Sequence, residues 1–361
     1  MREYPADVLV VGGGLGGVAA ALAAARAGRT VVLTEGDRWL GGQLTAQAVP
    51  PDEHPWVERF GVTAGYRELR DGIRAYYRRY HPLTGAARRA PALNPGAGWV
   101  SKLCHEPKVA AAVIDGLLAP FTSARRIVVL RPYAPVRVTI DHDTIGDVLL
   151  ENTRDGEQVV VRAAYVLDAT ETGELLPLAG VEHVTGAEGR HETGEPHAPA
   201  VADPLNMQAV SWCFAVDHVD GDHTIDRPVG YDRWREYRPA FWPDRLLSWS
   251  WPDPRTLRPV TGAFIPNPDD DPLAVVADQS ATPGAAELWT YRRVLARRLF
   301  EPGFAASDVT LVNWPMIDYL GGSVIGEDSA KHLSAARELS LSALYWMQTE
   351  APRPDGGTGY P

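Results

Sequence analysis

The chain has only two cysteines, Cys104 and Cys213, in 361 residues. Two thiols cannot ligate a four-cysteine iron–sulfur cluster. Without a C-x-x-C pair there is no disulfide redox motif either. Both have apolar neighbours in sequence, the setting of buried core thiols. No apolar run reaches the roughly 18 residues that a bilayer span needs; Arg26 and Gly28 break the first helical stretch. A membrane partner is therefore not expected. The net charge of −11 argues against nucleic acid or an anionic membrane as the main partner. No secretory leader precedes the first strand, so a cytoplasmic location is expected. There is no internal repeat, no H-x-x-x-H pair and no second complete G-x-G-x-x-G. The first of these excludes a repeat array. The second leaves no metal site to expect, and the third no separate NAD(P)H domain.

What is present begins at Asp7. Val8 to Val11 is an apolar, β-branched run suited to a strand buried on both faces. Gly12, Gly14 and Gly17 follow at G-x-G-x-x-G spacing. Gly12 allows the tight turn, Gly14 lets backbone approach a pyrophosphate, and Gly17 lets the new helix pack on the strand. The helix expected over 15–27 is mostly alanine, the best helix former. Its free N–H groups and positive end point toward the phosphates. Gly28 stops it. A second strand over 30–33 leads to Glu35, 18 residues after Gly17. A carboxylate there accepts hydrogen bonds from ribose hydroxyls and repels a 2′-phosphate. A dinucleotide site is expected, and NADP is disfavoured as its ligand.

The remainder predicts two domains: 1–185 with a loop and helical insertion at about 44–100, and a second, substrate or cap domain over 186–320. A C-terminal helix within 321–361 is expected to pack back on the first domain. Further helices are expected over 66–79, 108–118 (Pro107 at a good first position), 285–300 and 327–348. Strands are expected over 126–130, 135–140, 147–152, 158–162 and 164–168, with Asp155-Gly156 as a hairpin turn. Candidate strands of the second domain lie at 209–216, 246–251 and 260–264, and a loop at 266–284. The fold class is α/β: a Rossmann-type nucleotide-binding domain with a mixed, β-rich second domain.

Several further motifs carry a resemblance. Gly41-Gly42-Gln43 is similar to the second flavin-contacting turn of glutathione-reductase-like flavoproteins. With it stand Val49-Pro50-Pro51-Asp52-Glu53-His54-Pro55-Trp56, Cys104-His105-Glu106-Pro107, Asp168-Ala169-Thr170-Glu171, and Asn313-Trp314-Pro315 with Asp318-Tyr319. Together they resemble a group of bacterial FAD-dependent oxidoreductases over essentially the whole chain. The resemblance implies FAD as cofactor, with Gly12, Gly14 and Gly17 at the pyrophosphate and Glu35 at the ribose. It implies Gly42 and Gln43 near the pyrophosphate or ribityl chain, and Val136 offering backbone to adenine. Ala169 and Thr170 fall in the second FAD-contacting turn. Glu171 stands where such folds often have glycine. Some relatives are labelled after iron–sulfur heterodisulfide reductase subunits, a label that this cysteine count excludes. A segment beyond the equivalent of Gly356–Pro361 is implied to complete the flavin site.

The expected reaction is hydride transfer between FAD and a small organic substrate. An electron-transfer partner or a homo-oligomer is compatible with it. A flavin monooxygenase or halogenase is the alternative enzyme, and an incomplete, non-catalytic flavoprotein subunit the alternative of another class. Candidate proton-handling residues are His54, His105 and Glu171. His54 also reads as a loop histidine packed on Trp56, His105 as a capping or core residue, and Glu171 as a capping acid. Asn313, Trp314, Asp318 and Tyr319 are candidates for the substrate side. His183, His191 and His197 read as a solvated loop, and Trp242, Trp249 and Trp251 as β-domain core or an aromatic wall.

Overall fold

The computed structural model describes residues 1–54, 56–275 and 287–361. The chain forms two compact units. One comprises Met1–Tyr80 and Glu106–His183, the other His81–His105 and Val184–Pro361.

In chain order the elements up to residue 183 are β1 (Arg2–Val11), α1 (Leu15–Arg26), β2 (Val31–Thr34), α2 (Ala64–Tyr80) and α3 (Gly85–Arg89). They continue with α4 (Pro107–Ser123), β3 (Ile127–Leu130), β4 (Tyr133–Asp141), β5 (Thr144–Asn152), β6 (Gln158–Asp168) and α5 (Leu175–Leu178). All but α3 belong to the first unit. Its six-stranded sheet has the order β3-β2-β1-β6-β5-β4. The strands β3, β2, β1 and β6 run parallel, while β4 and β5 add an antiparallel edge. Two short strands were expected over 158–168. One strand of eleven residues stands there, because it pairs along β1 from Arg2↔Val159 to Val11↔Asp168. Leu9, Val11, Val32, Val148, Val159 and Val161 form one side of the core. Pro107 begins α4 at its first turn, where the missing N–H costs nothing. Gly156 takes a positive φ of 76° in the β5–β6 connection.

The second unit continues with α6 (Arg190–Thr193), β7 (Val210–Ser211), β8 (Phe214–Val216), α7 (Tyr231–Glu236), β9 (Ser250–Pro252) and β10 (Pro259–Thr261). Then come α8 (Pro272–Val275), α9 (Leu288–Tyr291), β11 (Arg293–Leu295), β12 (Val309–Val312), β13 (Asp318–Tyr319) and α10 (Ser329–Thr349). Its strands form three small sheets, β11-β12-β8, β10-β9 and β13-β7. Seven of the eleven tryptophans are buried in one cluster there, Trp242, Trp249, Trp251 and Trp314 among them. The tryptophans are core, with Trp249 packed edge-on to Trp346 at 4.7 Å.

Three expectations differ from this arrangement. Residues 81–105 are read in sequence largely as part of the first domain's insertion, yet they belong to the second unit. Their backbone explains it: Thr84 N donates to Leu299 O at 2.9 Å, Ala296 N donates to Pro95 O at 3.0 Å, and Arg293 Nε donates to Gly96 O at 2.8 Å. The C-terminal helix α10 also belongs to the second unit, because Ala336, Leu339, Ala343, Trp346 and Met347 join its aromatic core. Finally, the helix expected over 285–300 is α9, β11 and a 3-10 turn at Arg297–Leu299. Residues 285 and 286 of that helix, and the end of the loop expected over 266–284, lie outside the described residues.

Candidate functional site

The site of the first unit is built where β1 gives way to α1. Gly12 has a φ of 99°, and a Cβ placed on it would lie 2.2 Å from Ala169 O. A Cβ on Gly17 would lie 1.9 Å from Gly12 O. Both positions therefore exclude any side chain. Gly14 is the N-cap of α1; no side chain caps the helix, and its first turn holds no acid. The leading N–H groups of α1 are thus left for an anion. An open cleft of about 250 Å³ lies against this turn, lined by Gly12, Gly13, Gly14, Glu35, Gly42 and Ala169–Glu171 among others.

The loop is held by carboxylates and backbone. Glu35 accepts from Gly13 N at 3.1 Å through Oε2 and from Asp37 N at 2.9 Å through Oε1. Burial pushes the Glu35 carboxyl above its ordinary range, partly offset by these N–H groups. Gly41 N donates to Gly13 O at 2.8 Å, which joins the second glycine pair to the first. Across the sheet, Ala169 N donates to Val11 O at 2.7 Å. Asp168 shapes the turn that follows: Oδ1 accepts from Thr170 N at 3.0 Å and Thr170 Oγ1 at 2.7 Å, and Oδ2 accepts from Leu175 N at 3.1 Å. The sequence marked this acid only as part of a motif, and its signal was an acid at a strand end before Ala-Thr. Glu171 is exposed and reaches back toward the glycines. Its Oε1 would lie 3.1 Å from a Cβ on Gly14 and 2.8 Å from one on Gly42.

Two sequence candidates are not among the residues that line this cleft. Val136 is 40% exposed and is not among the cleft-lining residues. Tyr133, Ala134 and Pro135 line the cleft from β4 instead, because Tyr133 N is drawn in to Glu35 O at 2.8 Å. Gln43 lines a neighbouring cavity and Gln47 lines the cleft. The Gln43 side chain turns toward Pro50 O and Asp52 Oδ2, at 3.5 and 3.4 Å.

That second cavity, about 420 Å³, is lined by Leu15, Gln43, Asp52, Glu53, His54 and Tyr66 among others. His54 therefore reaches a cavity beside the start of α1. Its Nδ1 accepts from Trp56 N at 3.2 Å, which leaves Nε2 to donate to Gly61 O at 3.1 Å. Both ring nitrogens thus tie the loop together, and proton transfer by His54 would break one of these bonds. Below the loop lies a buried ion network that the sequence did not reveal. Arg70, on α2, pairs with Glu53 and Glu58. Arg74 grips Glu58 through both Nη atoms at 2.9 and 2.6 Å. Tyr66 donates to Glu53 at 2.6 Å. Burial pushes Glu58 up, but the two arginines outweigh it and hold the carboxyl below its ordinary range.

His105 is buried in the second unit, 2% exposed. His183, His191 and His197 are all exposed. No group of three or more potential metal ligands occurs among the described residues. None of the described helices is long and apolar enough to cross a membrane.

No curated protein sequence matches the chain. Among solved structures it is similar to an L-proline dehydrogenase from P. horikoshii (17% identity, 47% of this chain and 23% of that one, TM-score 0.26). It is also similar to Mycobacterium smegmatis Sdh1 in complex with UQ1 (11%, 53% and 35%, 0.32). A third is the myxobacterial chondrochloren halogenase CndH, described as an FAD-dependent halogenase (20%, 46% and 37%, 0.29). The chain spans 23–37% of the length of these three, overlaps too partial to transfer an activity. The sequence pattern of the FAD dependent oxidoreductases, in contrast, matches residues 7–361, and the chain belongs to that family.

Proposed function

We propose that the protein binds FAD in the glycine cleft of its first unit and oxidises or reduces a small organic substrate by hydride transfer. The observation that carries the reading is the cleft itself: an uncapped helix N-terminus faced by side-chain-free positions that tolerate no Cβ. The fit to a dinucleotide is specific in its parts. Gly12, Gly14 and Gly17 would receive the pyrophosphate against α1, and Glu35 would accept from the ribose hydroxyls. Tyr133, Ala134 and Pro135 offer a wall from β4 for the adenine. Gly42, Thr170 and Glu171 approach from the other turns, and Gln43 extends the lining into the next cavity. FAD supplies the two-electron chemistry when bound, and the protein supplies binding, orientation and electrostatics. The cavity beside His54 and Asp52 is the proposed substrate side of this unit. Its buried Arg70 and Arg74 fix the loop that carries both residues.

The test is a spectrum of the purified protein together with analysis of the supernatant after denaturation. One released FAD per chain and bleaching on reduction are expected. Gly12→Ala should abolish retention, since the new Cβ meets Ala169 O in a backbone conformation that alanine avoids. A colourless protein that takes up no added FAD would overturn the proposal.

A further inference from the structure

The cavity beside the start of α1 has a charge balance that narrows what it can hold. Leu15, Leu44, Val57 and Val62 give it an apolar lining, with Leu44 and Val57 each 2% exposed. Most of its polar side chains are already committed within the protein. His54 uses both ring nitrogens, Nδ1 as an acceptor and Nε2 as a donor, so the ring is the neutral tautomer. Tyr66 donates its hydroxyl to Glu53 at 2.6 Å, and Thr63 Oγ1 accepts from Tyr66 N at 3.3 Å. Glu53 also pairs with Arg70, and Glu58 with Arg70 and Arg74. Two arginines answer these two carboxylates, so the network lends the cavity no net charge. Asp52 is the exception. It is exposed at the cavity wall. Among the described residues its side chain makes no ion pair, and it accepts only from Gln43 Nε2 at a long 3.4 Å. No lysine or arginine is among the described residues that line the cavity. Arg67, which donates to Val57 O at 3.3 Å, stands outside that lining.

A cavity of about 420 Å³ with apolar walls and one unanswered negative charge favours a ligand that carries a positive charge on an apolar body. An anion would meet Asp52 with no lining cation to offset the repulsion. We propose that the cavity binds a small primary amine in its ammonium form, with the nitrogen on Asp52 and the carbon body on Leu44 and Val57. This rests on the reading above that the cavity is the substrate side, and it names the substrate's class. In the oxidation which that reading implies, a hydride leaves the carbon next to nitrogen for the flavin, a proton leaves nitrogen for solvent, and an iminium ion remains. A hydrogen bond between two full charges is stronger than one between neutral groups, while solvent at the exposed Asp52 keeps the gain modest.

Calorimetric titration of the full chain with butylammonium and benzylammonium tests it, with butanol and benzyl alcohol as uncharged partners and butanoate and phenylacetate as anions. At least one ammonium ion should bind about threefold or more tightly than its alcohol, and neither anion should bind more tightly than the alcohol. Asp52→Asn should weaken that ammonium ion about threefold or more while leaving its alcohol within about twofold, a split that mere loss of folding does not give. Asp52→Glu should keep part of the preference. Circular dichroism checks that each variant folds. If Asp52→Asn does not, salt decides: raising it from about 20 mM to about 0.5 M should weaken the ammonium ion and not the alcohol. No ammonium binding by the wild type, equal binding of ammonium ion and alcohol, or unchanged affinity in folded Asp52→Asn overturns the inference. The titration reads ligand uptake with or without flavin. Protein that binds the ammonium ion but no FAD would sink the cofactor reading alone, and FAD-loaded protein that binds no ammonium ion would sink this inference alone.

Discussion

Arg70→Met isolates the buried ion network beneath the His54 loop. The Arg70 and Glu53 side chains are 2% and 4% exposed, and Glu58 is 23% exposed. Removing the guanidinium takes a close cationic partner from two carboxylates at once. Breaking a buried pair in this way costs about 3–5 kcal/mol, because the remaining charge is left in a poor solvent. Exposed pairs cost below about 1 kcal/mol, so burial decides the size. The first unit has roughly 160 residues. At about 2–4 °C per kcal/mol for a domain of that size, its melting point should fall by about 6–20 °C. Thermal unfolding followed by circular dichroism, with urea titration for the free energy, reads the effect. The double variant Arg70→Met, Glu53→Gln supplies the control on mechanism. Neutralising Glu53 removes the charge that Arg70 had balanced, so the pair should be less destabilised than the sum of the two single changes. A loss below 1 kcal/mol in the single variant, or simple additivity in the double, would refute the reasoning.

Two more outcomes concern the cleft. Burial raises the Glu35 carboxyl, and only its ionised form is a full acceptor for ribose hydroxyls, so FAD affinity should fall as pH drops through that raised value. The weakening should begin above the ordinary carboxylate range; Glu35→Gln should bind more weakly near neutrality and show a flat profile, and a wild-type affinity constant from pH 7 to 4 would count against the role. Glu171→Gln removes a negative charge beside Gly14 and Gly42, and at this exposed position about 0.5–1 kcal/mol, or two- to fivefold tighter FAD binding, is expected. Fluorescence titration of the apoprotein measures it, and weaker binding would instead mean that the carboxylate accepts a hydrogen bond from the cofactor.

The first unit was legible where local rules and tertiary structure agree. The β1–α1–β2 unit and Glu35 follow from apolar runs, glycine spacing and alanine content. The helices α2, α4 and α10 follow from periodicity and Pro107. Legibility ended where distant partners decide. Residues 292–300 read as a helix, yet Arg293 is drawn into β11 by pairing opposite Thr310 and by its buried ion pairs with Asp270 and Asp308. Arg70 and Arg74 lie within the helix expected over 66–79. Their acidic partners lie in the preceding loop, where no helical period reports them. Val136 and Gln43 fall outside the lining of the glycine cleft, where Tyr133–Pro135 and Gln47 stand instead; one backbone bond at Tyr133 and one side-chain turn toward Asp52 set that lining.

The position of β1 between β2 and β6 also has a consequence on the ribosome. Its second neighbour is β6, at Gln158–Asp168. At about 5–20 residues per second, β1 waits roughly 10–30 s after synthesis for that partner. Until then one flank of the glycine turn is an open strand edge, and Ala169, which closes on Gly12, has not emerged. With FAD placed as proposed, cofactor capture is tied to the completion of β6, and nascent chains halted before it expose an apolar strand edge that invites aggregation.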